Sequence, residues 1–201
     1  MANESIEGKA HSLGDILATE LKAYYQIPTY QRPYQWTEEN CEKLLDDLLS
    51  SYECYKESDY FCGSLVLIAI GIDSKTNATT YDVVDGQQRL STFILLAKVL
   101  ATLYSDRLTE ESKDYLQESL ISKYGKKDRL NFNAIGFNSK KDFQYALTSF
   151  NDAPASNNKN NYLKNAICLK NYLKKKRLKT LTISLSGCIL RSYLSKPLAP
   201  I

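Results

Sequence analysis

The sequence predicts an α+β fold: a small mixed sheet with surrounding helices, followed by a helical C-terminal part. Three observations predict it. Several stretches place apolar residues at the three-to-four spacing of a helix face. Two short runs, FCGSLVLIAIGI (residues 61–72) and TTYDVVDG (residues 79–86), have strand length and composition and flank the turn-like DSKTNAT. Beyond residue 125 the helical spacing returns on a strongly basic background.

In chain order, residues 12–24 read as a short helix with Leu13, Ile16, Leu17 and Leu21 on one face. IPTYQRPYQW, residues 27–36, holds two prolines, which argue against helix and for an extended segment or a tight loop. Thr37 is placed to cap the next helix, and Glu38 and Glu39 favour the positive end of its dipole. Leu44, Leu45, Leu48, Leu49 and Tyr52 form its stripe, and its end is expected near Lys56.

Residues 61–72 read as a buried strand, and residues 79–86 as its hairpin partner. Residues 87–105 form a strong helix on Leu90, Ile94, Ala97 and Ala101, widened by Phe93, Leu96 and Leu100. A helix over Glu110–Tyr124 is expected to end at Gly125. RLNFNAIGF holds a short strand, Lys140–Phe150 a helix, residues 151–161 a loop, and Tyr162–Lys176 a basic amphipathic helix. Residues 178–201, taken as a whole, match no one period. A chain end of this kind is what a truncation or an altered reading frame leaves.

Composition narrows the function. At 201 residues, with 43% hydrophobic and 24% charged positions, the chain is expected to be globular and soluble. No leader-like start or membrane-length apolar run is found, and five cysteines without C-x-x-C spacing suit a reducing, cytoplasmic setting. The single histidine, His11, sits in a polar segment and is expected at the surface or at a helix entry. It makes a histidine-based metal or nucleophile site improbable. Charge is uneven: Lys and Arg against Asp and Glu number 5 to 12 in residues 1–60, 5 to 8 in residues 61–120 and 16 to 3 in residues 121–201. Such a basic end serves either as a solvated face or as a contact for a polyanion.

The chemistry concentrates in TTYDVVDGQQRLST, residues 79–92. A strand leads through Asp85 and Gly86 into a helix N-terminus, whose free N–H groups and dipole favour an anion. Arg89 is the residue to grip phosphate, Asp85 to hold Mg²⁺, and Gln87 or Gln88 to orient an attacking water; Ser91 and Thr92 add hydroxyls behind. The alternative is a junction whose polar residues only cap and solvate. No G-x-x-x-x-G-K-[ST] loop occurs. In IPTYQRPYQW, Arg32 stands among Tyr30, Tyr34 and Trp36, either as the wall of a site or as a packed loop with core aromatics.

These segments in this order, IPTYQRPYQW, FCGSLVL and DVVDGQQRLST, resemble the N-terminal domain of GmrSD-type restriction enzymes, whose fold is ParB- and sulfiredoxin-like. The resemblance implies a defence protein against phage or foreign DNA. It implies a nucleoside triphosphate (GTP, ATP or CTP) with Mg²⁺ at Asp85, Gly86, Gln87, Gln88 and Arg89, faced by Tyr30, Gln31 and Arg32, with Ser91 where the family commonly has threonine. It divides the chain into a ParB-like nucleotide-binding domain (1–125), a helical extension (126–177) and an atypical tail (178–201). Relatives frequently add a His-Asn-His nuclease domain, which one histidine cannot supply, so a nuclease domain or subunit is expected elsewhere. Competing expectations are a DNA-binding module without catalysis and an inactive fragment. A sulfiredoxin-like redox enzyme is disfavoured, because Cys62 is expected to be a buried, inert thiol.

Overall fold

The computed structural model describes residues 8–9, 11–17, 22–54, 61–133, 137–152 and 158–175, with backbone only at 51–54 and 137. The expectations for Leu21, Lys56, residues 153–157 and the tail after Lys175 lie outside the described residues. The architecture is α+β. Its main sheet has four strands in the order β2-β3-β1-β6, formed by β1 (Ala23–Ile27), β2 (Val66–Ile72), β3 (Thr79–Asp85) and β6 (Leu130–Phe132). β1 runs parallel to both β3 and β6, while β2 and β3 form the expected antiparallel hairpin.

Helices α1 (Leu13–Leu17), α2 (Glu38–Cys54), α3 (Gln87–Leu103), α4 (Glu110–Leu120), α5 (Phe137–Ser149) and α6 (Asn161–Lys175) surround it. α3 is the axis of the core. Leu90, Phe93, Ile94, Leu95, Leu96, Ala97, Val99 and Leu100 are all buried, so apolar residues line most of its circumference rather than one stripe. α5 and α6 pack on it through Phe143, Ala146, Leu163, Ala166 and Leu169. One apolar core therefore continues across the expected boundary at residue 125. At the start of α2, Thr37 occupies the cap position, but Asn40 makes the capping contacts: its Oδ1 accepts the Thr37 amide at 2.9 Å.

Three expectations are corrected. Tyr24 belongs not to a first helix but to β1, the central strand. Its pairing with β3 on one side and β6 on the other outweighs the local helical spacing of residues 12–24. β2 is not buried. It is an edge strand with Val66, Ile68, Ile70 and Ile72 exposed, the last at 71%, because an apolar run reports strand propensity and not what covers it. α4 stops at Leu120. Residues 121–122 and 127–128 then form the small hairpin β4–β5, and Gly125 sits in its turn beside the Tyr24 hydroxyl rather than ending a helix.

Candidate functional site

Parallel pairing decides where the functional residues meet. β1, β3 and β6 all end on the same side of the sheet, so the loop after Ile27, the turn after Asp85 and the end of β6 at Phe132 lie together. In open parallel sheets this carboxyl edge is where ligands bind. Gly86 makes the turn with φ at +92°, and a Cβ there would come within 2.9 Å of the Leu65 side chain and 3.0 Å of the Ser64 carbonyl oxygen. α3 begins at Gln87 with no side chain capping it, which leaves its first amides without a side-chain acceptor.

A cavity of about 170 Å³ opens at that point. Asp85, Gly86, Gln87, Gln88 and Arg89 form one wall, and Gln31, Arg32 and Trp36 the other. Seven of the ten expected site residues thus meet at one mouth. The Arg89 Nη2 donates to the Ser64 carbonyl oxygen at 2.7 Å and stands 4.0 Å from the Asp85 carboxylate, which is largely exposed. Arg32 lines the same opening, is exposed, and among the described residues has no ion pair or ring contact.

The glutamines divide their work. The Gln88 Oε1 accepts the amides of Gln35 (2.8 Å) and Trp36 (3.2 Å), and its Nε2 reaches the Pro33 carbonyl oxygen at 3.4 Å. The side chain is spent holding the loop after β1. Gln87 donates its Nε2 to the Arg32 carbonyl oxygen at 2.6 Å, while its Oε1 has no partner among the described residues. Gln31 ties the same loop to β3 through the Val84 carbonyl oxygen at 2.6 Å. Proline set the loop's backbone, but these three amides fix its position.

The three remaining expected residues lie elsewhere. Ser91 and Thr92 are 1% and 0% exposed, on the face of α3 that turns into the core, and line no cavity at the site. Ser91 bonds the Tyr162 hydroxyl; Thr92 bonds the Tyr34 hydroxyl at 2.7 Å and the Gln88 carbonyl oxygen at 2.8 Å. Tyr30 is 65% exposed and lines neither cavity at this edge. Of the aromatics around Arg32, Tyr34 is core: it stacks on Tyr162 with centroids 4.2 Å apart, and burial raises its pKa above the ordinary phenol range. Its hydroxyl also accepts from Asn165 Nδ2 at 2.9 Å, which ties α6 to the loop.

Sequence reasoning missed Gly63. Its φ is +103°, and a Cβ there would lie 2.7 Å from the Arg89 Cζ, so the guanidinium rests flat on a backbone that only glycine leaves open. The signal was present in FCGSLVL, where a glycine interrupts an apolar run. Cys62 beside it is partly buried, and burial pushes its thiol up to about 11 against the pull of Arg89, which makes it a poor nucleophile.

Among the described residues no cluster of three His, Cys, Asp or Glu side chains could hold a metal. Asp85 is the one carboxylate among the residues that line the cavity; a Mg²⁺ site of the kind that also uses phosphate oxygens and water needs no more than one or two. No helix of the described residues is long and apolar enough to cross a membrane.

The family model described as GmrSD restriction endonuclease, N-terminal domain, matches residues 13–195. No curated protein matches the chain.

Proposed function

The chain belongs to the family of the GmrSD restriction endonuclease N-terminal domain, and from that premise we propose that the mouth at the β3–α3 turn binds a nucleoside triphosphate and hydrolyses it. The domain is that of a restriction-type defence protein. The observation that carries the proposal is the uncapped start of α3 at Gly86, with Arg89 and Arg32 lining the same cavity. Free amides, a helix dipole and two guanidiniums converge where an anion of several charges would sit.

Each residue then has a distinct task. Arg89, held by Ser64 and seated on Gly63, grips phosphate oxygens with its remaining donors. Arg32 enters from the opposite wall and neutralises charge that builds on the leaving phosphate. Gln87 offers its free Oε1 to a water in line with the terminal phosphorus. That water's oxygen bonds to the terminal phosphorus as the bond from phosphorus to the bridging oxygen breaks; the nucleoside diphosphate leaves with that oxygen, and of the water's two protons one stays on the phosphate product and the other passes to solvent. Gln88 stays with the loop and holds the backbone of Gln35 and Trp36, while the Nε2 of Gln87 holds that of Arg32. Asp85 would hold the Mg²⁺ ion, whose contribution is to neutralise the bridging and terminal phosphate oxygens. The test is phosphate release from GTP, ATP and CTP with Mg²⁺, for the unaltered protein and for Arg89→Ala. A rate reduced by about 100-fold or more is expected for loss of one such donor; equal rates for the two proteins count against the site.

A second reading, DNA binding through the basic half, has one specific observation behind it. Lys22 and Lys123 both lie over the Tyr124 ring, at 5.1 and 5.3 Å, and Lys127 lies over Tyr24 at 5.4 Å, so three ammonium groups gather near the β4–β5 turn, although Lys123 is paired with Glu118 at 3.2 Å and Lys127 with Asp73 at 2.8 Å, and a phosphate would have to displace those carboxylates. Phosphate-dominated binding there would weaken with salt at a log–log slope near −0.9 per neutralised phosphate. A triple Lys→Ala variant that kept the same slope would remove this face from consideration.

A further inference from the structure

A second cavity, of about 210 Å³, adjoins the first at the same edge of the sheet and shares Gln31, Arg32 and Gln87 with it. Its character is different. Pro28, Pro33, Phe132 and Tyr162 give it carbon walls, while Thr29 and Ser139 also line it, and their hydroxyls have no hydrogen-bond partner among the described residues. Neither cavity alone reaches the ~300 Å³ at which small-molecule clefts begin, whereas the two joined do.

The strand order sets their direction. The first cavity lies at the end of β3 and the second reaches the end of β6, with β1 between. Two strand spacings separate them, about 10 Å. That is the scale on which a nucleotide passes from its polyanionic end to its flat, mostly apolar end. The apolar wall is also held still. Tyr162 stacks on Tyr34, meets Phe132 and Phe143 edge-on at 6.2 and 5.2 Å, and bonds Ser91. A wall locked on several sides loses little freedom when a ring lies against it.

We propose that this second cavity is the nucleoside pocket of the same site: the base lies against Phe132 and Tyr162, and Thr29 and Ser139 bond the sugar or the base edge. The proposal rests on the triphosphate reading of the first cavity and adds to it the place and chemistry of the rest of the ligand. It also gives Ser91 a task that a phosphate contact would not, namely bracing the wall on which the base rests.

The test compares inorganic triphosphate with GTP, ATP and CTP, all with Mg²⁺, by calorimetry on the full chain. Unaltered protein should bind at least one nucleotide tenfold or more tightly than inorganic triphosphate. Ser139→Trp, at the rim of the second cavity, should abolish that advantage and leave inorganic triphosphate binding unchanged, while Arg89→Ala should weaken both. If inorganic triphosphate binds as well as every nucleotide, or if Ser139→Trp leaves nucleotide affinity intact, the nucleoside pocket is overturned and the phosphate site stands. If nothing binds, both fall. Should the tryptophan variant not fold, photo-crosslinking of a base-azido nucleotide to unaltered protein decides. Label on residues 27–34, Phe132, Ser139 or Tyr162 supports the proposal, and label elsewhere overturns it.

Discussion

Arg129 and Arg89 occupy opposite surroundings. Arg129 is 1% exposed, and its guanidinium spends its donors on backbone: Nη1 on the Ala23 carbonyl oxygen at 2.7 Å, Nε and Nη2 on that of Glu118 at 3.2 and 2.8 Å. The Glu118 carboxylate stands 3.9 Å away, with its Oε1 buried and lacking a hydrogen bond. Arg129 thereby joins the end of α4 to the start of β1, and burial drives its pKa down. Arg89 uses one donor on Ser64, lies on a glycine and opens to a cavity. The same side chain is a structural tie where its fork is saturated, and a ligand group where most of the fork is left open.

That contrast can be broken in several ways. The largest effect should come from Arg129→Met, which strands the carbonyls of Ala23 and Glu118 and leaves the buried Glu118 carboxylate with Lys123 alone. About 3–5 kcal/mol of stability should be lost in urea unfolding, and an unchanged midpoint would refute the tie. Gly63→Ala should come next, at about 1–3 kcal/mol for a side chain forced into positive φ. It should also lose nucleotide binding, because the new methyl takes the place of the guanidinium; normal binding would show that Arg89 does not need that seat. Arg89→Ala should change unliganded stability by about 1 kcal/mol at most, yet forfeit the stabilisation a ligand confers, about 2.7 kcal/mol at 100 times Kd. A thermal scan with and without GTP reads both.

The smallest effect concerns Asp73, whose pKa is held well below the usual carboxylate range by the Lys127 ammonium and by the amides of Lys75 and Thr76. A depressed folded value means that its contribution is present above the unfolded pKa near ~4 and fades as pH falls below that. Asp73→Asn should therefore lower the thermal midpoint at pH 7 and lower it somewhat less at pH 3, because the contribution starts to shrink near the unfolded pKa and is lost in full only as pH falls through the depressed folded value. A loss at pH 3 equal to that at pH 7 would place the cause outside titration.

The helices were legible because their apolar spacing is local: α2, α3, α5 and α6 lie within a few residues of their expected bounds. β1 was not, since Tyr24 and Tyr25 belong to a strand only by virtue of neighbours at Thr80 and Tyr81 on one side and, for Tyr25, Leu130 on the other. At the site, Asp85 through Arg89 could be read from strand, glycine and helix in sequence. The duties of Gln87 and Gln88 could not, because their partners lie more than fifty residues away in the loop after β1. Ser91 and Thr92 were assigned by proximity in sequence, but a helix turns about 100° per residue, and that rotation carried both from the mouth into the core.

Helix α6 gives the loop after β1 a mechanical connection to the other side of the molecule. Asn161 donates to the Tyr34 carbonyl oxygen, and Asn165 donates to the Tyr34 hydroxyl and the Trp36 carbonyl oxygen, so three bonds join one helix to the rim that carries Arg32 and Trp36. Those asparagines lie in its first turn and a half, and the remainder of its 15 residues extends away from them. Because Leu163, Ala166, Leu169, Tyr172 and Leu173 are buried along the same helix, a rod about 22 Å long anchors that rim in the core over nearly its whole length.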